Sequence, residues 1–205
     1  VEVYSRLSQA INRLRPRDAG GVFLVVSSVA GEGVSTVSRN LALSLASSSQ
    51  DRITLVDANL RTPSQHRAFN VDRNNGLSEV AAGRLELDRA VPLGSGVNFG
   101  MLPCGRAVTN PAEFMTASRL RSTVNSLRNL SALTIIDGPP VTLYPEACEL
   151  ARLSDGVILV VRAESTRWEV AKQAKRLLLQ SDVQILGAIL NERRYYIPRW
   201  IYRFV

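Results

Sequence analysis

The stretch Ser28-Val29-Ala30-Gly31-Glu32-Gly33-Val34-Ser35-Thr36 constrains this chain more than any other. An apolar run, Val22 to Val26, leads into it and reads as a buried β-strand. Gly31 and Gly33 permit a tight turn whose backbone N–H groups point inward at a phosphate, and Ser35 and Thr36 open a helix that runs to Ser47. Helix N-termini and glycine-rich nests bind anions without help from a charged side chain. The phosphate-loop pattern asks for Lys just before the Ser/Thr, to reach the β- and γ-phosphates. Val34 stands there instead. A charge-assisted hydrogen bond contributes about 1.5–3 kcal/mol, so its loss weakens ground-state binding by roughly ten- to a hundredfold. Removing one preorganised donor slows chemistry by on the order of 100- to 1000-fold. The chain's two lysines, Lys172 and Lys175, fall on a much later helix, which leaves Arg61 as the nearest substitute.

The other elements are spaced as strand and helix in alternation. The strands are expected at Val22–Ser27, Ile53–Asp57, Val97–Leu102, Leu133–Asp137, Val157–Val161 and Ile185–Asn191. The helices are expected at Glu2–Arg15, Val34–Ser47, Pro63–Phe69, Leu77–Ala82, Glu86–Ala90, Ala112–Leu127, Pro145–Leu153 and Arg167–Gln180. In the first helix Val3, Leu7, Ile11 and Leu14 share a face. Apolar strands without alternation, separated by helices, imply an α/β fold: a doubly wound, mostly parallel sheet with helices on both faces. A chain of 205 residues, 45% of them hydrophobic, forms one such domain. It divides into an N-terminal helix and loop (1–20), a nucleotide-fold core (22–191) and a basic, aromatic tail (192–205). Ligands of such sheets sit beyond the C-terminal ends of the strands.

Two strands end there in aspartate, Asp57 in "ITLVDANLRTPSQHRAF" and Asp137 in "LTIIDGPP". One strand-end Asp is ordinary turn chemistry. Two of them downstream of a glycine-rich loop mark a cation site, with Ser35, Asp57 and Asp137 holding Mg2+ directly or through water. The net charge of +7 suits an anionic partner such as a nucleotide, membrane surface or nucleic acid, and equally a solvated basic surface. Cys104 and Cys148 are far apart with no partnering motif and read as reduced thiols. No stretch reaches the ~20 apolar residues of a membrane span. A start at Val1 rather than Met suits a piece of a longer chain, such as one that follows a membrane anchor.

Almost the whole sequence resembles the bacterial tyrosine kinase (BY-kinase) family of capsule and exopolysaccharide systems. The family's first Walker motif looks like "SxPGEGKST" and here reads "SVAGEGVST"; its second, "VLLVDADLRRPSLH", reads "ITLVDANLRTPSQH"; its third, "IIDTPP", reads "IIDGPP". "NNGLSEVAAG", "MLPCGRAVTNPAEFM", "DGVILVVRAEST" and "ILGAILNERR" match further. The resemblance implies a P-loop, SIMIBI-like fold, ATP or ADP with Mg2+ as ligands, and a membrane polysaccharide co-polymerase as partner. It also implies a cytoplasmic place at the inner membrane and possible homo-oligomers. By the same resemblance Gly31, Glu32, Gly33, Val34, Ser35 and Thr36 form the nucleotide loop, and Asp57, Asn59 and Asp137 occupy the catalytic positions. Asn191 either reads the adenine, as a residue there does in related ATPases, or caps the strand-end turn.

The departures are as informative. Val34 replaces Lys, Ala30 replaces the loop Pro, and Asn59 replaces a second Asp that helps activate the attacking tyrosine in the family; Asn is no base. The N-terminal "ExxRxxR" element of ring assembly keeps Glu2, but Ser5 and Ser8 hold the Arg positions, with Arg6 one residue off. The phosphoacceptor cluster shrinks to Tyr195, Tyr196 and Tyr202. This pattern is similar to a pseudokinase that regulates or scaffolds polysaccharide polymerisation and export. The alternatives are a slow but genuine tyrosine autokinase, or an ATP-gated positioner related to the partition and septum-positioning ATPases. "LRTPSQH" and "NPAEFM" favour the polysaccharide kinases. In the tail, Arg199 and Arg203 with Trp200, Ile201, Phe204 and Val205 suit an anionic membrane surface, a membrane protein, or packing against the domain; nucleic acid is not expected. His66, the sole histidine, reads as a local structural residue and Trp168 as a packing residue.

Overall fold

The computed structural model describes residues 2–14, 16, 19–91, 98–111, 114 and 118–193. Among them six strands form one sheet: β1 (Gly21–Ser27), β2 (Ile53–Asp57), β3 (Phe99–Leu102), β4 (Leu133–Asp137), β5 (Gly156–Arg162) and β6 (Ile185–Asn191). Their order is β3-β2-β4-β1-β5-β6, and every neighbouring pair is parallel. The doubly wound α/β reading therefore holds. β1, β2 and β4 are buried along their whole length, which explains why their sequences run apolar rather than alternating.

Alternate residues of each strand feed two cores. On one face Phe23, Val25, Leu55, Ile135 and Ile158 meet Ile11 of α1 (Glu2–Leu14) and Val37, Leu41 and Leu45 of α2 (Val34–Ser48). On the other face Val22, Leu24, Val26, Ile136 and Leu159 meet five helices. These are α4 (Leu77–Ala81), α5 (Leu87–Ala90), α6 (Ser118–Leu130), α7 (Glu146–Arg152) and α8 (Trp168–Gln180). A short α3 (Gln65–Ala68) follows β2. The helix expected from Ala112 runs to Leu130 rather than Leu127; residues 112, 113 and 115–117, like Val97 of the expected third strand, lie outside the described residues. Leu14, placed with Ile11 by its spacing, is 48% exposed, because the last turn of α1 lies over the sheet's edge beside Leu186 and Ile189 of β6.

Two parallel registers set up the site. Val25 of β1 is level with Asp137 of β4, and Asp137 is level with Asp57 of β2. The strand tips thus bring both aspartates beside the loop that leaves β1. At the opposite end of the sheet Arg128 reaches Asp155 at 2.6 Å and donates to the Gly20 and Leu153 carbonyls, while Asp155 accepts the Val22 N–H at 2.7 Å. That network fixes where β1 begins.

Candidate nucleotide site

The loop between β1 and α2 takes the form its glycines require. Gly31 and Gly33 lie at φ +83° and +89°, in the left-handed region that L side chains avoid. Gly33 is also pressed against a neighbour: a Cβ there would stand 2.1 Å from Asn191 Nδ2. Gly33 caps α2, and no side chain caps it; nor does the first turn carry an acid. The first N–H groups of a helix have no intrahelical partner, so this end has donors and a positive dipole end for an anion.

Glu32, expected as part of the nucleotide loop, uses its side chain to brace that loop. It is buried, and its carboxylate accepts the Ser28 N–H at 2.6 Å, the Val29 N–H at 2.9 Å, the Arg162 N–H at 3.2 Å and the Thr166 hydroxyl. Its carbonyl accepts Asn191 Nδ2 at 2.9 Å. One side chain thus ties the loop to the turn after β5, and Asn191 ties it to the end of β6. Asn191 is held under the loop by that bond rather than as a turn cap.

Val34 is only 8% exposed and packs into the α2-side core with Val37 and Leu41. Arg61 does not make good the missing charge. Its Nε donates to Glu146 at 2.7 Å and its guanidinium lies 4.3 Å from the Tyr144 ring centre. The cation whose charge Asp137 feels is Arg39, one turn into α2 from Ser35, which sequence spacing did not single out.

The two aspartates are fully buried but differ in their partners. Asp57 holds its own turn: Oδ1 accepts the Asn59 N–H at 3.3 Å, and Oδ2 accepts the Ser64 and Gln65 N–H groups, each at 2.9 Å. Asn59 continues the turn by accepting the Thr62 N–H at 3.1 Å. Three backbone donors thus hold Asp57, so of the two routes expected for it, direct or through water, its geometry favours the second. Asp137 is less complete. Its Oδ2 accepts Gln65 Nε2 at 2.7 Å, yet Oδ1 is buried with no partner. Burial first, and the neighbouring Asp57 charge second, push Asp137 up to about 7. Burial raises Asp57 too, against the hydrogen bonds from its turn. A buried carboxyl pair with an open oxygen beside a Ser hydroxyl fits a divalent cation. Among the described residues no group of three or more His, Cys, Asp or Glu could hold a metal. The cation's remaining ligands would be phosphate oxygens and water, as Mg2+ prefers.

Gln65 was missed by sequence reasoning, because a glutamine after a strand carries no chemical signature. It is fully buried, and its amide also donates to the Ser35 carbonyl at 2.8 Å. His66 follows Gln65 in α3, and its Nδ1 is buried with no hydrogen-bond partner. Trp168 does not pack: it is 74% exposed at the start of α8, where it lines an apolar cleft of about 750 Å³ with Leu179, Leu190, Lys172 and Lys175. Ser8, at an eroded Arg position, is buried against α2, where it meets the Ser44 hydroxyl at 3.2 Å. Cys104 and Cys148 are free, and burial pushes the Cys104 thiol up to about 12. No described helix is long and apolar enough to cross a membrane. Tyr195, Tyr196, Tyr202 and the rest of 194–205 lie outside the described residues.

A parallel sheet with a glycine-rich loop after its central strand, two strand-tip aspartates and an uncapped helix defines a P-loop nucleotide-binding protein. No protein-family model matches the chain. It is 30% identical over 171 residues to the tyrosine-protein kinase YwqD of Bacillus subtilis, covering 83% of this chain and 72% of that one. The chimerical protein CapA2B2 superposes with a TM-score of 0.87 at 26% identity, over 95% of this chain and 85% of the other. The VpsO kinase domain superposes with a TM-score of 0.84 at 30% identity, over 94% and 92%. The chain belongs to the bacterial tyrosine-protein kinase family.

Proposed function

We propose that this chain is a regulator or scaffold of capsule or exopolysaccharide polymerisation and export. In this reading it binds ATP or ADP with Mg2+ as a structural or switching ligand and transfers phosphate poorly or not at all. Gly31, Gly33, Ser35 and Thr36 hold phosphates through backbone N–H and hydroxyl groups. Ser35 and Asp137 hold Mg2+, and Asp57 holds the turn that delivers Gln65 and reaches the cation through water. Mg2+ there would supply positive charge against that of the phosphates. Asn191, bonded to the loop at the Glu32 carbonyl, would read the adenine in this reading. The partner in this reading is a membrane polysaccharide co-polymerase, which would keep the chain at the cytoplasmic face of the inner membrane, with 193–205 as a further contact to an anionic surface.

The observation that carries the proposal is a complete, uncapped phosphate loop facing a half-satisfied Asp137, with valine where lysine belongs. Asn59, its side chain engaged in a turn, supplies no base for the attacking tyrosine. The test is Gly33→Asp, which sets a carboxylate at the mouth of the loop. It should abolish MgADP binding and alter polysaccharide output; an unchanged result in both would remove the reading.

One observation favours a second reading, a slow autokinase. Arg39 lies close enough for Asp137 to feel its charge, and an arginine there could stand in for part of the lost lysine. Phosphotyrosine at Tyr195, Tyr196 or Tyr202 that disappears in both Arg39→Ala and Asp137→Asn would establish it.

A further inference from the structure

We propose that Gln65 sets how tightly the site holds its cation, by occupying one oxygen of Asp137 while the cation is away. The inference rests on the reading of this site as a nucleotide and cation site. Gln65 is the first residue of α3 and touches all three motifs. Its backbone N–H donates to Asp57 Oδ2 at 2.9 Å, and its amide Nε2 donates to Asp137 Oδ2 at 2.7 Å and to the Ser35 carbonyl at 2.8 Å. Both amide hydrogens are thus used, one of them on a carboxylate, where hydrogen bonds are strongest.

The rest of the cluster is unfinished. Gln65 Oε1 and Asp137 Oδ1 are both buried and neither has a donor. Buried oxygens in native proteins are normally satisfied, so two in one cluster mark a place for a cation or a water held by one. The amide dipole meets Asp137 with its positive end, in part as a cation would, and leaves the second oxygen waiting. A cation arriving at Asp137 meets a carboxylate already half-committed to Gln65. A cation on Oδ1 draws charge away from Oδ2 and weakens its bond to the amide, and one that takes both oxygens competes with the amide for Oδ2. The Gln65 backbone N–H is bonded separately to Asp57, so the side chain can let go while α3 keeps its start. Gln65 is in this sense a positioning residue that trades stability of the empty site against affinity for the filled one.

Thermal melting of the full chain, over a MgCl2 series at fixed ADP, tests this with Gln65→Met, which keeps volume and removes the donors. The variant should melt lower than wild type without Mg2+. Its half-maximal Mg2+ concentration should fall by roughly ten- to a hundredfold, the equivalent of one charge-assisted hydrogen bond. Gln65→Leu, should Gln65→Met not fold, removes the same donors with a shorter apolar side chain and should show the same pair of changes. Equal or higher Mg2+ midpoints in the variants overturn the proposal and leave the nucleotide reading standing. Absence of any response to Mg2+ and ADP, in wild type and variants alike, overturns both.

Discussion

A valine at position 34 keeps the loop's shape and removes its charge. Backbone geometry holds the loop: the left-handed glycines, the Asn191 brace and the apolar seat of Val34 itself. Restoring lysine is therefore a clean experiment, since a long side chain can leave the core edge and carry its ammonium to the phosphates. Val34→Lys should tighten MgADP binding by at least roughly tenfold; titration of variant against wild type checks it, and equal affinities would mean that the phosphates do not lie where the loop implies. The glycines give a second comparison. Gly33→Ala meets both a disallowed φ and Asn191, whereas at Gly31 nothing lies within 4 Å of an added Cβ. Strain alone contributes on the order of 1–3 kcal/mol, so both variants should lose stability in urea, and Gly33→Ala clearly more. Equal losses would show that the Asn191 contact yields without cost.

At the scale of elements, the loop's strength lies in what ties it to its neighbours. Glu32 collects donors from the loop, from β5 and from the turn that follows it. Glu32→Ala strands the Ser28 and Val29 N–H groups, and an unsatisfied buried donor costs about 1–3 kcal/mol. The predicted outcome is a loss of at least ~2 kcal/mol in urea unfolding together with weakened MgADP binding. Wild-type stability in this variant would refute the brace. Sequence could show that Glu32 stands in the loop but not which way its carboxylate faces, because two of its partners, Arg162 and Thr166, lie at least 130 residues away in the chain. The strands and long helices were legible for the converse reason: continuous apolar runs and helical spacing are local signals. The same locality misled at Leu14 and Trp168. Their spacing is helical, but whether a partner covers that face depends on where the sheet ends. Asp57 was legible as a strand tip, yet its turn-holding role needed the fold of the segment after β2 that brings Ser64 and Gln65 back over it.

Across the whole molecule, the sheet order places two carboxyl groups side by side in its interior, and that arrangement has a pH signature. Burial and the Asp57 charge raise Asp137 from 3.8 to about 7, and burial raises Asp57 as well. The folded pair therefore holds protons that the unfolded chain has released. Without divalent cations, stability is greatest below about pH 4 with respect to this pair and falls as pH rises toward 7. Asp137→Asn should flatten most of that slope, and Mg2+ with ADP should oppose it at neutral pH by pairing the charged form; urea midpoints between pH 4 and 8 measure both. A slope unchanged in Asp137→Asn would place its origin elsewhere. The order of strands itself was not readable from the sequence, since it depends on which apolar runs pair, but the class of fold was, because each run is followed by a helix.

Isothermal titration of the full chain with MgADP, beside Gly33→Asp, tests the central claim most directly. The account predicts single-site binding at micromolar to low-millimolar affinity that the variant abolishes. No heat from wild type at millimolar MgADP would contradict it, and the intact shape of the loop would then serve protein contacts alone.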